Sequence, residues 1–246
     1  MSQPNTAPVV ITGANRNIGA HMAHRFIDEG FAVIAQYRTA TEDIERLIAR
    51  GAITIQGDFA DAKASLAVAE AIDEALGAAD APLRALIHNA SAFAPTADEV
   101  LQAADQFQAF FEVHMRAPYL LNTRLAERLS EPDGRPGDIV HITDIYADHP
   151  AIDYDIYCAT KAGLQNLSAS FARRLAPGVK VNAVQPGPIS FESWVDDQQQ
   201  QSMLDATPLG RTGSPDNIYR AVRALMDNDY QTGAVVAVDG GRRLGR

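Results

Sequence analysis

Short apolar runs alternate with longer stretches of helical periodicity, and this alternation constrains the fold more than any other feature of the chain. The runs fall at residues 8–12, 31–37, 52–56, 83–88, 138–142, 179–184 and 234–238. Helical patterns lie between them at residues 20–29, 41–50, 61–76, 98–129 and 152–176. A short uninterrupted apolar strand is one covered on both faces, which implies parallel pairing with helices above and below the sheet. The expected fold is thus α/β: one domain spanning residues 1–246, built on a doubly wound, seven-stranded parallel sheet. Pro118 is expected to kink the long helical stretch or end its first half, because its ring removes an amide donor and crowds the preceding turn. Residues 188–207 are the least regular segment.

In such sheets ligands bind beyond the carboxyl ends of the strands. Gly13, Arg38, Asp58, Asn89, Asp144 and Pro186 all fall at those ends. The first strand breaks at Gly13, and Ala14-Asn15-Arg16-Asn17-Ile18-Gly19 leads into a helix that stops at Gly30. Small residues there let the backbone approach a pyrophosphate, and the helix N-terminus adds N–H donors and the positive end of its dipole. This is the context of a Rossmann-type nucleotide site, with Asn17 where a middle glycine is common; the alternative is an ordinary strand-to-helix turn. The second strand ends in Tyr37-Arg38-Thr39, where a carboxylate would receive a ribose 2′-hydroxyl. A guanidinium and a hydroxyl suit a 2′-phosphate instead, so the expected cofactor is NADPH; otherwise Arg38 simply points to solvent.

Tyr157 and Lys161 stand four apart in a helical stretch and share one face. An ammonium beside a phenol favours phenolate, so Lys161 is expected to lower the Tyr157 pKa and make it a proton donor at neutral pH. Alone, such a pair is common on helix surfaces. His21 and His24 have no further ligands at matching spacing, and no metal is expected. Cys158, the one cysteine, excludes an internal disulfide and reads as a buried apolar filler. No apolar run approaches the ~20 residues of a membrane span, and residues 1–8 lack a signal pattern. A formal net charge of -10 disfavours nucleic acid and acidic membranes as partners. The expected setting is cytoplasmic.

From residue 8 to residue 241 the chain resembles the short-chain dehydrogenase/reductase family, on Thr12-Gly13…Gly19, Asp58, Asn89-Ala90, Tyr157 with Lys161, Asn182 with Pro186-Gly187, and Asp239-Gly240-Gly241. That family places a serine thirteen positions before its tyrosine, where this chain has Asp144. Asp144, Arg16 and Asn89-Ala90-Ser91-Ala92-Phe93 are similar to the pteridine reductases. Residues 37–39, 83–91, 141–144 and 170–182 resemble the bacterial members that act on dihydromonapterin and also reduce dihydrofolate. The resemblance implies that Asp144, Tyr157 and Lys161 are catalytic. It implies that NADPH is held by Gly13, Arg16, Asn17, Ile18, Gly19, Tyr37, Arg38, Thr39, Asp58, Phe59, Asn89, Ala90, Thr143, Tyr157, Lys161, Pro186, Gly187 and Ile189. A small-molecule pterin would contact Arg16, Ser91, Phe93, Asp144, Tyr157 and Trp194, with Phe93 stacked on it opposite the nicotinamide. The implied reaction is reduction of a 7,8-dihydropterin, with hydride to C6 and a proton to N5 from water or an Asp144–Tyr157–Lys161 relay. In pteridine reductases the Asp–Tyr pair is linked mainly to the C7/N8 step. Pteridine reductases commonly carry an arginine at the position of Asn17, and the family's catalytic asparagine is matched by His114. A homotetramer is implied.

Physical chemistry agrees with the pterin reading. A flat heteroaromatic ring suits a slot beside Phe93. An ionised Asp144 accepts hydrogen bonds from a pterin edge and cannot polarise a ketone oxygen. Residues 188–207 are expected to form a substrate loop with lid character. Its Glu192, Asp196 and Asp197 would disfavour a polyanionic folate tail, so a small neutral dihydropterin is the expected substrate. Two alternatives stay open: a reductase of 3-oxoacyl or other carbonyl substrates, and a non-catalytic NADPH-binding sensor.

Overall fold

The computed structural model describes residues 7–78, 81–129, 134–191 and 195–245. Val9–Ile11 (β1), Val33–Tyr37 (β2), Ile53–Gln56 (β3), Ala85–His88 (β4), Gly137–Ile142 (β5), Val179–Pro186 (β6) and Val235–Val238 (β7) form one seven-stranded sheet. Every pairing is parallel, in the order β3-β2-β1-β4-β5-β6-β7. The order reverses between β1 and β4, and the crevice beyond that point is where a doubly wound sheet receives its ligand.

The helices are Asn17–Asp28 (α1), Glu42–Ala49 (α2), Ala62–Ala78 (α3), Val100–Phe111 (α4), Ala117–Leu125 (α5), Asp155–Leu175 (α6), Asp197–Asp205 (α7) and Pro215–Asp227 (α8). They cover both faces, which is why the strands need no polar side. On one face Met22 and Phe26 of α1 and Tyr219 and Val222 of α8 pack on Val9, Ile11 and Ile87. On the other, Ile72 and Leu76 of α3, Leu121 and Leu125 of α5 and Phe171 of α6 pack on Val10, Leu86 and Ile139. Fully burying each such side chain stabilises the fold by roughly 1.5–3 kcal/mol.

Two helices were absent from the expectation. α8 opens on a capping box of Ser214 and Asn217 with Pro215 in its first turn, and it buries Ile218, Tyr219, Val222, Leu225 and Met226. α7 buries no residue and stands on a capping box of Asp196 and Gln199, so residues 197–205 are regular where irregular chain was expected. The first half of the long helical stretch ends before Pro118, which lies in the first turn of α5. The irregularity comes just before it, as a π-helical turn at Glu112–Arg116. A proline cannot take the amide bond to the residue four before it, and the wider turn accommodates that loss.

At the amino ends of the central strands, Asp138 forms an ion pair with Arg84 and one of 3.1 Å with Lys180, all three buried. The two cations also donate to the end of α8: Lys180 Nζ to the carbonyls of Leu225 (2.8 Å) and Asn228 (2.7 Å), and Arg84 Nη2 to that of Met226 (3.0 Å). Carbonyls at a helix C-terminus lack intrahelical donors and carry negative dipole charge, so these cations suit them. Among the described residues no helix is long and apolar enough to cross a membrane.

Candidate active site

A cleft of about 600 Å³ opens beyond the carboxyl ends of β1, β4, β5 and β6. A second hollow of about 380 Å³ continues it toward β2 and β3, sharing Gly13, Arg16, Arg38 and Ala90. The first turn of the cleft is built by close backbone approach. Gly13 has φ +65°, and a Cβ there would sit 2.7 Å from the Cα of Ala90. A Cβ on Gly19 would sit 2.3 Å from the Gly13 carbonyl oxygen. Asn17 adopts φ +48°, a left-handed conformation that asparagine tolerates better than most side chains, which is why it can stand where glycine is common.

Several expected cofactor residues hold this turn. Asn89 Nδ2 donates to the carbonyls of Thr12 (3.1 Å) and Gly13 (3.0 Å), so both donors are committed to the protein. Asn89 also lines the cleft. Ala90 N–H donates to Thr12 Oγ1 (3.0 Å). Gln36 is buried in β2; its Oε1 accepts from Gly13 N–H (3.1 Å) and its Nε2 donates to the Gly57 carbonyl (2.8 Å). Sequence reading passed over Gln36 as a strand residue, although a primary amide in an apolar run is itself a signal. Tyr37, the last residue of β2, packs against the α1 side of the core. Arg38, Thr39, Asp58 and Phe59 line the second hollow. Arg16, Asn17, Ile18, Thr143, Pro186, Gly187 and Ile189 line the main cleft. Gly187 is required because a Cβ would sit 2.7 Å from Asp239 Cα.

The reactive groups meet as their order in the sequence suggested. Tyr157, in the first turn of α6, donates its hydroxyl to Asp144 Oδ2 at 2.9 Å. Asp144 Oδ1 accepts from Tyr146 N–H at 2.9 Å. Lys161, one turn along α6, donates to the Ile142 carbonyl at 3.0 Å, and its ammonium lies 5.6 Å from the centre of the Tyr157 ring. The pKa expectation for Tyr157 is overturned. Burial, and then the charge and hydrogen bond of Asp144, hold the phenol well above its ordinary value, because a phenolate beside a carboxylate is doubly unfavourable. Burial raises Asp144 too, against the Tyr146 amide, Lys161 and Tyr157. Burial lowers Lys161 to about 8, opposed by Asp144. Tyr157 therefore keeps its proton beside Asp144.

His114 bridges the cleft wall and α6. Its Nε2 accepts from Ala92 N–H (3.2 Å) and lies 2.9 Å from Ser91 Oγ, while Nδ1 lies 2.8 Å from Thr160 Oγ1. Burial and Lys161 hold its pKa well below the usual value, so it is neutral. Phe93 lines the cleft, stacked on Tyr154 at 4.9 Å and edge-on to Tyr157 at 4.8 Å. Tyr146, Tyr154, Met203 and Arg242 also line it, and sequence reading singled out none of them. Trp194 and Glu192 lie outside the described residues. Asp196 and Asp197 do not line the cleft, and Asp196 caps α7 by accepting from Gln199 N–H at 2.7 Å. Cys158 is buried, as expected of a filler. His21 faces Asp216, and His24 lies against Arg50.

Comparison with known proteins gives a consistent picture. A family profile described as enoyl-(acyl carrier protein) reductase matches residues 13–243. The dihydromonapterin reductase of Klebsiella pneumoniae is 36% identical over 244 residues, 99% of this chain and 100% of the relative. That of Escherichia coli strain K12 is 35% identical over 244 residues, again 99% and 100%. A short-chain dehydrogenase/reductase from Serratia marcescens superposes with a TM-score of 0.86 at 28% identity, covering 98% of this chain and 100% of that one. An alternative dihydrofolate reductase 1 from Brucella canis, complexed with NADP, gives 0.86 at 26% identity, covering 98% and 95%.

Proposed function

The chain belongs to the short-chain dehydrogenase/reductase family, and from that premise we propose that it is an NADPH-dependent reductase of 7,8-dihydropterins, acting in the cytoplasm on dihydromonapterin and dihydrofolate. The observation that carries this reading is Asp144 in the place of the family's serine, hydrogen-bonded to Tyr157 under an aromatic wall. A carboxyl group there keeps an acceptor oxygen for the N–H groups of a heteroaromatic edge in either protonation state, an acceptor that a simple ketone does not use. The names and NADP complex of the relatives support the same substrate and cofactor.

The residues present fit the cofactor. The cradle left by the missing Cβ atoms of Gly13 and Gly19 and the N-terminus of α1 suit a pyrophosphate. Arg38 and Thr39 at the end of β2 suit a 2′-phosphate, and Arg38 forms no ion pair among the described residues. Lys161, anchored on the Ile142 carbonyl, would donate to a ribose hydroxyl of the cofactor. What bound NADPH supplies is a hydride, received at C6 of the pterin. Phe93 offers the ring a flat apolar surface. Tyr157 and Asp144 hold the proton that N5 takes, with Lys161 balancing their charge.

Steady-state oxidation followed at 340 nm tests this reading. Turnover of 7,8-dihydromonapterin or dihydrofolate with NADPH is expected, with NADH and a simple 3-oxo ester poor by comparison. Arg38→Ala is expected to raise KM for NADPH about 10- to 100-fold while leaving NADH little changed, since a charge-assisted phosphate contact contributes about 1.5–3 kcal/mol. Steady turnover of the ester with none of the pterins would overturn the reading. A homotetramer is part of the proposal, supported by the exposed Val100, Leu101 and Phe107 of α4. Elution near the monomer mass of 26.5 kDa would contradict it.

A further inference from the structure

We infer that Arg242 reads the substituent at C6 of the substrate and binds a carboxylate on it, so that the cleft takes dihydropterins with an anionic tail, the dihydrofolate class, as well as neutral ones. This rests on the dihydropterin reading above and narrows it. Two arginines follow Gly241, and the fold treats them differently. Arg243 is consumed: its Nη1 donates to Asp239 Oδ1 and its N–H to Asp239 Oδ2, both at 2.9 Å. With Gly241 N–H also on Asp239 Oδ1 (3.0 Å), that carboxylate fixes the turn and has little left to offer a neighbour.

Arg242 is half-buried in the cleft wall and forms no ion pair among the described residues. Its one side-chain hydrogen bond among the described residues is a long one, Nη1 to the Met203 carbonyl at 3.3 Å, which steers the side chain against α7. A guanidinium carries five N–H donors, so most of them face no protein acceptor. The nearby carboxylates are committed elsewhere: Asp144 to Tyr157 and Tyr146 N–H, Asp239 to Arg243, and Asp196 to the cap of α7. A cation left without a counter-charge in a partly desolvated wall is poised for an anion from outside.

Its position says which anion. Arg242 lies close enough to Tyr146 to stabilise that residue's phenolate form, and Tyr146 is two residues from Asp144, to which its amide donates. The wall thus runs from Asp144 along Tyr146 to Arg242. A dihydropterin whose ring lies at Asp144 and Tyr157 sends its substituent along that wall. Arg242 lines only the main cleft, whereas Arg16 and Arg38 line both hollows, so it is not one of the arginines placed for the cofactor's phosphates. The planar fork of a guanidinium matches a carboxylate with two parallel bonds and gains less from a neutral hydroxyl.

The test compares the full-length protein with Arg242→Gln and Arg242→Lys, using NADPH with dihydrofolate or 7,8-dihydromonapterin. Arg242→Gln is expected to raise KM for dihydrofolate at least about tenfold more than KM for dihydromonapterin, and Arg242→Lys to fall between it and the wild type. Equal changes in the two KM values, or no change in either, would overturn the inference and leave the dihydropterin reading standing. Absence of turnover of both pterins by the wild type would defeat that reading and this inference with it. If Arg242→Gln does not fold, the lysine variant gives the same ratio test, and an unchanged ratio there counts against the inference.

Discussion

Tyr157→Phe is expected to lower kcat for dihydropterin reduction by about 10²–10⁴-fold, with KM for NADPH little moved, because it removes the one hydroxyl that joins Asp144 to the substrate side of the cleft. The direction of the pH dependence follows from the same pair. Tyr157 stays protonated through the neutral range, since its pKa is held well above the ordinary phenol value. Giving up that proton while Asp144 is ionised would leave two negative charges bonded at 2.9 Å. Transfer is therefore favoured when Asp144 also carries a proton, and burial raises its pKa toward that state. A carboxylic acid holds its proton below its pKa, so kcat is expected to decline as pH rises through the raised Asp144 value. Asp144→Asn should lose that limb, because an amide does not titrate. A pH profile of kcat for the wild type and both variants checks this, and a Tyr157→Phe protein with full turnover would remove Tyr157 from the mechanism.

Asp138→Ala is expected to cost about 3–5 kcal/mol of unfolding free energy, the effect of leaving buried charges without their partner. Arg84 and Lys180 would stay buried at the amino ends of β4 and β6, held by carbonyls of α8 but without the Asp138 charge. The network lies at the end of the sheet opposite the cleft. Folded Asp138→Ala protein should therefore bind NADPH with nearly the wild-type Kd while its urea midpoint falls. A stability loss below about 1 kcal/mol would show that the cations find other partners or water.

The sheet was legible because each buried strand is a continuous apolar run, and parallel order follows from the helices between them. The cleft was legible for a related reason: Gly13, Arg38, Asp58, Asn89, Asp144 and Pro186 all follow strand ends, and ligands bind there. α8 carried a readable signal in Ser214-Pro215 and its periodic apolar residues. α7 carried almost none, since its stability comes from a cap and not from a buried face. Pro118 signalled an irregularity in the long helical stretch, but periodicity does not say that it takes the form of a π-helical turn. Proximity of Tyr157 to Lys161 could be read from spacing, but the sign of the pKa shift could not. It is set by burial and by Asp144, thirteen residues away, and both exist only in the folded chain. No motif pointed to Arg242; what separates it from Arg243 is the turn at Asp239, which exists only in the folded chain.

The central claim is that this chain transfers hydride to C6 of a dihydropterin. The most direct measurement is to incubate it with 7,8-dihydromonapterin and NADPH deuterated at the transferred position of the nicotinamide, then locate the label in the product by NMR. Tetrahydromonapterin carrying deuterium at C6 is the expected result. Label at C7, or oxidation of the cofactor with no labelled tetrahydropterin, would contradict it.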